Sequence, residues 1–136
     1  MSKYSMLAMF LFVALVGCQA TAEPQFNAET INVEFESLDD YWVEIPEPIK
    51  YHKGRPKFIP DGRGSGVYAI TIDSNGLVVK KELVSSIPEG WLTQKHVDHM
   101  PTKQYQASKN NVERQPVRVE ISFSVMPRSE IGTTSD

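Results

Sequence analysis

"GVYAITIDSNGLVVKKELV", residues 66–84, is the stretch on which the fold turns. Its first residues are β-branched, aromatic or small, and they alternate: Tyr68, Ile70 and Ile72 fall on one side, Val67, Ala69 and Thr71 on the other. A period of two belongs to a strand, not to a helix. "DSNG" (73–76) follows, and Asn-Gly accepts the positive φ that a tight turn demands. "LVVKKELV" (77–84) then runs back. The segment reads as a β-hairpin.

Working outward towards the C-terminus, Ser85-Ser86-Ile87-Pro88 opens a new element. Proline suits a first helical turn, and a serine stands ready to cap it. "EGWLTQKHVDHM" (89–100) therefore predicts a short helix ended by Pro101, with Trp91, Leu92, Val97 and Met100 as its apolar face. A polar loop leads to "PVRVEISFSV" (116–125), where alternation is cleanest. Val117, Val119, Ile121, Phe123 and Val125 point one way; Arg118, Glu120, Ser122 and Ser124 point the other. That is a strand with one dry face and one wet face. Each aliphatic side chain buried there contributes about 1.5–3 kcal/mol before entropy is subtracted, so Val119 is a core position. Residues 128–136 read as a flexible tail.

Towards the N-terminus, "PEPIKYHKGRPKFIPDGRGSG" (46–66) holds four prolines and four glycines and reads as a loop of turns. Before it, "TINVEFE" (30–36) alternates at Ile31, Val33 and Phe35, and "YWVEI" (41–45) alternates at Tyr41, Val43 and Ile45. These are extra strands or an ordered arm; whether residues 28–45 join the sheet stays open. Residues 18–48 carry eight acidic side chains and no Lys or Arg, whereas residues 49–136 carry thirteen basic and nine acidic ones. The acidic segment reads as a solvated leader, with docking on the basic body as the other option. Without Lys/Arg clusters interleaved with aromatics, the chain gives no nucleic-acid signal. The order β-β-α-β predicts an α+β domain: a small antiparallel β-sheet with one helix packed on a face.

The first residues have a different character. Lys3 precedes the apolar run Met6–Val16, eleven residues, where a membrane-crossing helix needs roughly 20. This is the length of the apolar part of a secretory signal. The run ends Leu15-Val16-Gly17-Cys18, which resembles the lipobox of bacterial lipoproteins, and Cys18 is the only cysteine. The resemblance implies a signal peptide over residues 1–17 and lipid on the Cys18 thiol, anchoring the chain to a membrane through its acyl groups (palmitate among them). Two or more acyl chains make such an anchor effectively permanent, since each buried CH₂ adds about 0.8 kcal/mol. Gln19 in place of an aspartate implies, by the sorting rules of such lipoproteins, the outer membrane facing the periplasm.

Gly66-Val67, Ile72-Asp73-x-x-Gly76, "LVSSIPEG", "QYQASKNN" and "PVRVEISFSV" stand in an order that resembles the C-terminal domain of TonB. The likeness spans about residues 56–125 and places such a domain over residues 49–127, after a lipidated acidic leader at 18–48. It implies an α+β domain whose sheet edge binds short segments of outer-membrane receptors. An energy-transducing TonB has an uncleaved inner-membrane helix and a long proline-rich spacer, and Cys18 with its short leader implies neither. The expectation is a receptor-side binding module without direct energy transduction.

The search for chemistry returns little. His96 and His99 are spaced to share a helical face, but a zinc site needs a third ligand, from His52 or a carboxylate. They read as solvated histidines. Asp39-Asp40 reads as a solvated turn, and "GRGSG" (62–66) precedes a strand where a phosphate loop precedes a helix. The expectation is a non-enzymatic chain with no catalytic, cofactor or metal residues. It would add an extended partner segment to its last strand at Arg118, Glu120 and Ser122, the partner being an outer-membrane receptor or transport component. The alternative is a structural envelope lipoprotein that pairs with itself as a homodimer and has no transport role.

Overall fold

The computed structural model describes residues 23–51 and 53–126. The expected signal peptide (1–17), the expected lipid site Cys18, His52 and the expected tail (128–136) lie outside the described residues. Among those described, the order is β1 (Ile31–Val33), a 3-10 helix (Phe35–Asp40), β2 (Trp42–Glu44), β3 (Gly64–Ile72), β4 (Val78–Ile87), α1 (Gln94–Asp98), β5 (Tyr105–Ala107) and β6 (Val117–Val125). The protein is a small α+β fold dominated by strands.

The hairpin is present as β3 and β4, and its turn is closed by one residue. Asp73 accepts the Gly76 N–H through its carbonyl at 3.0 Å, and its carboxylate accepts the N–H groups of Asn75 and Leu77, both at 3.0 Å. Gly76 has φ of 81°, and a Cβ there would stand 2.1 Å from the Tyr105 carbonyl oxygen. Glycine is needed twice over at this corner, for its backbone angle and for the approach of β5.

The main sheet has the order β1-β6-β3-β4, with β6 antiparallel to β3. β1 runs parallel to β6, pairing Ile31, Asn32 and Val33 with Val117, Arg118 and Val119, so the sheet is mixed where an antiparallel one was expected. The reason is where the chain enters. Gln25 is clasped at the hairpin turn: its N–H donates to the Asp73 carboxylate at 3.0 Å, and its carbonyl accepts the Ser74 N–H at 2.7 Å. β6 starts at the same end, because Val117 lies opposite Ile72. Two strands leaving one end must run the same way.

The acidic segment is therefore part of the folded body from Gln25 to Ile45. β2 pairs antiparallel with β5 as a second, two-stranded sheet, and Leu38 and Trp42 share one core with Ile70, Ile72, Val117 and Val119. The alternation of "YWVEI" resolves opposite to its hydrophobic count: Trp42 is fully buried, whereas Val43 and Ile45 are exposed. Phe35 leaves the strand pattern of "TINVEFE" to begin the 3-10 helix.

The helix is also shorter than 89–100. β4 continues to Ile87, and Gly90 turns the chain with φ of 77°. Trp91 and Leu92 then drop onto β3, where Gly64 and Gly66 leave room for them; a Cβ on either glycine would lie 2.4 Å from the facing side chain. The cap is Thr93, not a serine before Pro88. Its hydroxyl accepts the His96 N–H, and its own N–H donates to His96 Nδ1 at 3.1 Å. Ser86 instead accepts the Leu92 N–H at 2.7 Å. A second core forms here from Trp91, Leu92, Val97 and Met100.

Candidate functional site

β6 alternates as its sequence requires, burying Val117 and Val119 and exposing Glu120, Ser122 and Ser124. Its two sides differ in how they are covered. β3 pairs with it from Val117 to Val125, but β1 pairs only as far as Val119. The Ile31 N–H donates to the Pro116 carbonyl at 3.2 Å, which sets the phase. Along a strand every second residue directs its backbone groups to the same side. Ser122 and Ser124 thus present N–H and C=O outward, where among the described residues no strand pairs with them.

The other edge is guarded. β4 carries Lys80, Lys81 and Glu82 in succession, and its ladder with β3 is broken at two register shifts. Charges and bulges of this kind discourage edge-to-edge pairing. The open stretch of β6 has no lysine and no proline.

The three residues assigned to a partner-binding strand divide accordingly. Arg118 lies opposite Asn32, so that part of the edge is taken by β1. Its guanidinium pairs with Glu82 at 3.4 Å and with Glu120 at 3.1 Å, and Lys80 meets Glu82 at 2.9 Å. These charges roof Ala69 and Thr71 in the middle of the wet face, which are buried beneath their stems. The Lys80 and Arg118 partners hold the Glu82 carboxyl below its usual range. Glu120 stands where β1 ends and Ser122 beyond it, both exposed and both paired with β3 on the other side.

Under the dry face lies a groove of about 510 Å³. It runs between the two cores, crossing the sheet from Lys81 on β4, past Tyr68 and Ile70 on β3, to Ile121 and Phe123 on β6 and on to Phe35. Lys81 faces this side because it lies opposite Ile70. Its ammonium donates to the Met100 carbonyl at 2.6 Å, and burial pushes its pKa down against the opposing pull of Asp98. Lys103, also on the groove, is paired with Glu44. Burial raises the Tyr68 hydroxyl, and burial with Glu44 beside it pushes Tyr105 up to about 12, so both remain neutral donors.

Sequence reasoning missed this groove. Ile121 and Phe123 were visible as a dry face, but Phe35 and Tyr105 come from short elements with no periodicity to mark them.

The histidines are tied to the backbone. His96 Nδ1 is occupied in the capping box, and His99 Nδ1 lies 2.7 Å from the Lys95 carbonyl, to which it donates. Among the described residues no three His, Cys, Asp or Glu side chains come together as a metal cage. Among them, too, no helix is long and apolar enough to cross a membrane. In "GRGSG", Gly64 is the packing site for Trp91 and Gly66 that for Leu92, while Gly62 turns the chain with φ of 78°. No family model, curated protein or solved structure matches the chain.

Proposed function

We propose that this chain is a lipid-anchored periplasmic protein-binding module, similar to the C-terminal domain of TonB. It engages an envelope or outer-membrane transport partner by strand addition and does not itself transduce energy. The observation that supports this best is the asymmetry of the sheet: β4 is guarded by charge and bulges, while β6 beyond Val119 offers unpaired backbone at Ser122 and Ser124. Main-chain hydrogen bonds supply affinity in strand addition, and pockets for alternate side chains supply specificity. Ile121 and Phe123 place such an apolar surface directly beside the edge.

The test is a photo-crosslinking amino acid at Ser122, in cells, with Lys80 on the guarded edge as control. Adducts with an outer-membrane receptor or transport component from Ser122 alone support the reading. No adduct from a correctly folded Ser122 variant sinks it. Adducts with a second copy of the chain, together with a dimer in sedimentation, replace it with the self-pairing envelope lipoprotein.

A further inference from the structure

The groove has a chemistry of its own, separate from the strand edge. Its walls are aromatic and aliphatic, and its volume of about 510 Å³ lies within the roughly 300–1,000 Å³ of small-molecule sites. At roughly 30 Å³ for a water-sized group, it holds no more than about 17 such groups. Crossing from β4 to β6 takes two strand spacings, roughly 10 Å. The cleft thus fits one short-to-medium alkyl chain, not a two-chain lipid.

Its charge is placed at one mouth. Lys103 is neutralised by Glu44, whereas Lys81 has no carboxylate within ion-pair distance among the described residues. Its ammonium rests only on backbone carbonyls, those of Met100 and, at 3.5 Å, Asp98. A half-buried cation beside apolar walls gains most from an anionic partner.

We infer that the groove binds a single-chain fatty acid of about twelve carbons, its carboxylate on Lys81 and its alkyl chain along Ile70, Ile121 and Phe123. The site shares Ile121 and Phe123 with the apolar surface beside the β6 edge, but binding of the acid needs no partner strand.

The experiment uses the full chain in nanodiscs of zwitterionic lipid, with dodecanoic acid carrying a diazirine near its methyl end as probe. Expected is saturable labelling that maps to the peptide containing Ile121 and Phe123. Unlabelled dodecanoic acid should compete about tenfold better than dodecan-1-ol, the value of one charge-assisted hydrogen bond. Lys81→Met, checked for an unchanged melting transition, should erase that preference while leaving competition by the alcohol. Ile121→Trp, which fills the groove, should abolish labelling without removing Lys81. Labelling that does not saturate, labels scattered outside the groove, or equal competition by acid and alcohol in the natural chain would overturn the proposal. So would a folded Lys81→Met that still prefers the acid.

Discussion

The two tryptophans close opposite ends of the same dry face, and they do it differently. Trp42 is fully buried, and its Nε1 donates at 2.8 Å to the carbonyl of Gln115, seventy-three residues away. Around it are the 3-10 helix, β2, β5 and the start of β6, tied by Asn111 to Tyr41 and by Ser108 to Asp40. Trp91 sits at the rim, its Nε1 shared between the carbonyls of Asp61 and Gly62 at 3.0 and 3.2 Å. It lies over Gly64 and against Phe123, at a ring separation of 5.6 Å. One end is a knot of distant segments, the other a plug set on glycines. The groove lies between, where neither reaches.

The largest expected effect tests the strand they share. Val119 is fully buried, and Val119→Asp puts a carboxylate there with no partner, so circular dichroism should show no cooperative transition. Next, Trp42→Ala should cost about 3–5 kcal/mol in urea denaturation, with Trp91→Ala at or below the lower end of that range. Equal losses would mean that the distant ties around Trp42 add nothing. Asp73→Ala should cost about 2 kcal/mol or more, because it strips the acceptor from the N–H groups of Gln25, Asn75 and Leu77. It should also speed hydrogen exchange at Gln25; unchanged exchange would show that the entering chain is held elsewhere. At the other end, Thr93→Ala removes only a helix cap and should cost about 1 kcal/mol.

The smallest effect at neutral pH distinguishes the ends by titration. Tyr105, in the Trp42 core, has its hydroxyl raised to about 12 by burial and by Glu44. Below the ordinary tyrosine value of about 10, both folded and unfolded states hold the proton and stability is unaffected. As pH climbs from about 10 towards 12 the unfolded chain ionises first, so stability should fall across that window. Tyr105→Phe should flatten the fall; an unchanged slope would assign it to another group.

How much of this was legible in the residues depends on periodicity. The hairpin and β6 announce themselves because five or more alternating positions outweigh any single exception. β1, β2 and β5 span three residues each, too few for a pattern, and β5 buries only Tyr105. In "YWVEI" the rule failed because three apolar residues were counted on one face while Trp42 alone filled the other. The helix was drawn too long because Trp91 and Leu92 fit a helical face as well as they fit a plug. The glycines at 64 and 66, two positions apart and in phase with Tyr68, Ile70 and Ile72, were the available clue.

For the candidate site, the wet residues Glu120 and Ser122 follow from alternation alone, but their freedom does not. Arg118 has the same phase and lies on the covered stretch, because β1 reaches only to Val119. The groove was hidden for a related reason: its walls are contributed by β3, β4, β6 and the segments around Phe35 and Phe58, and no local window contains them.

By itself the sequence determined what repeats at short range: a hairpin with its Asp73–Gly76 turn, a last strand with one dry face, and a coarse α+β class. Those follow from hydrophobic alternation and from backbone angles that few residues accept. Only the tertiary structure decided that the acidic segment enters the core, that β1 runs parallel, which edge stays open and that a groove separates two cores. These depend on which distant segments meet, at the Asp73 turn and around Trp42, and contacts made across 48 and 73 residues leave no period along the chain.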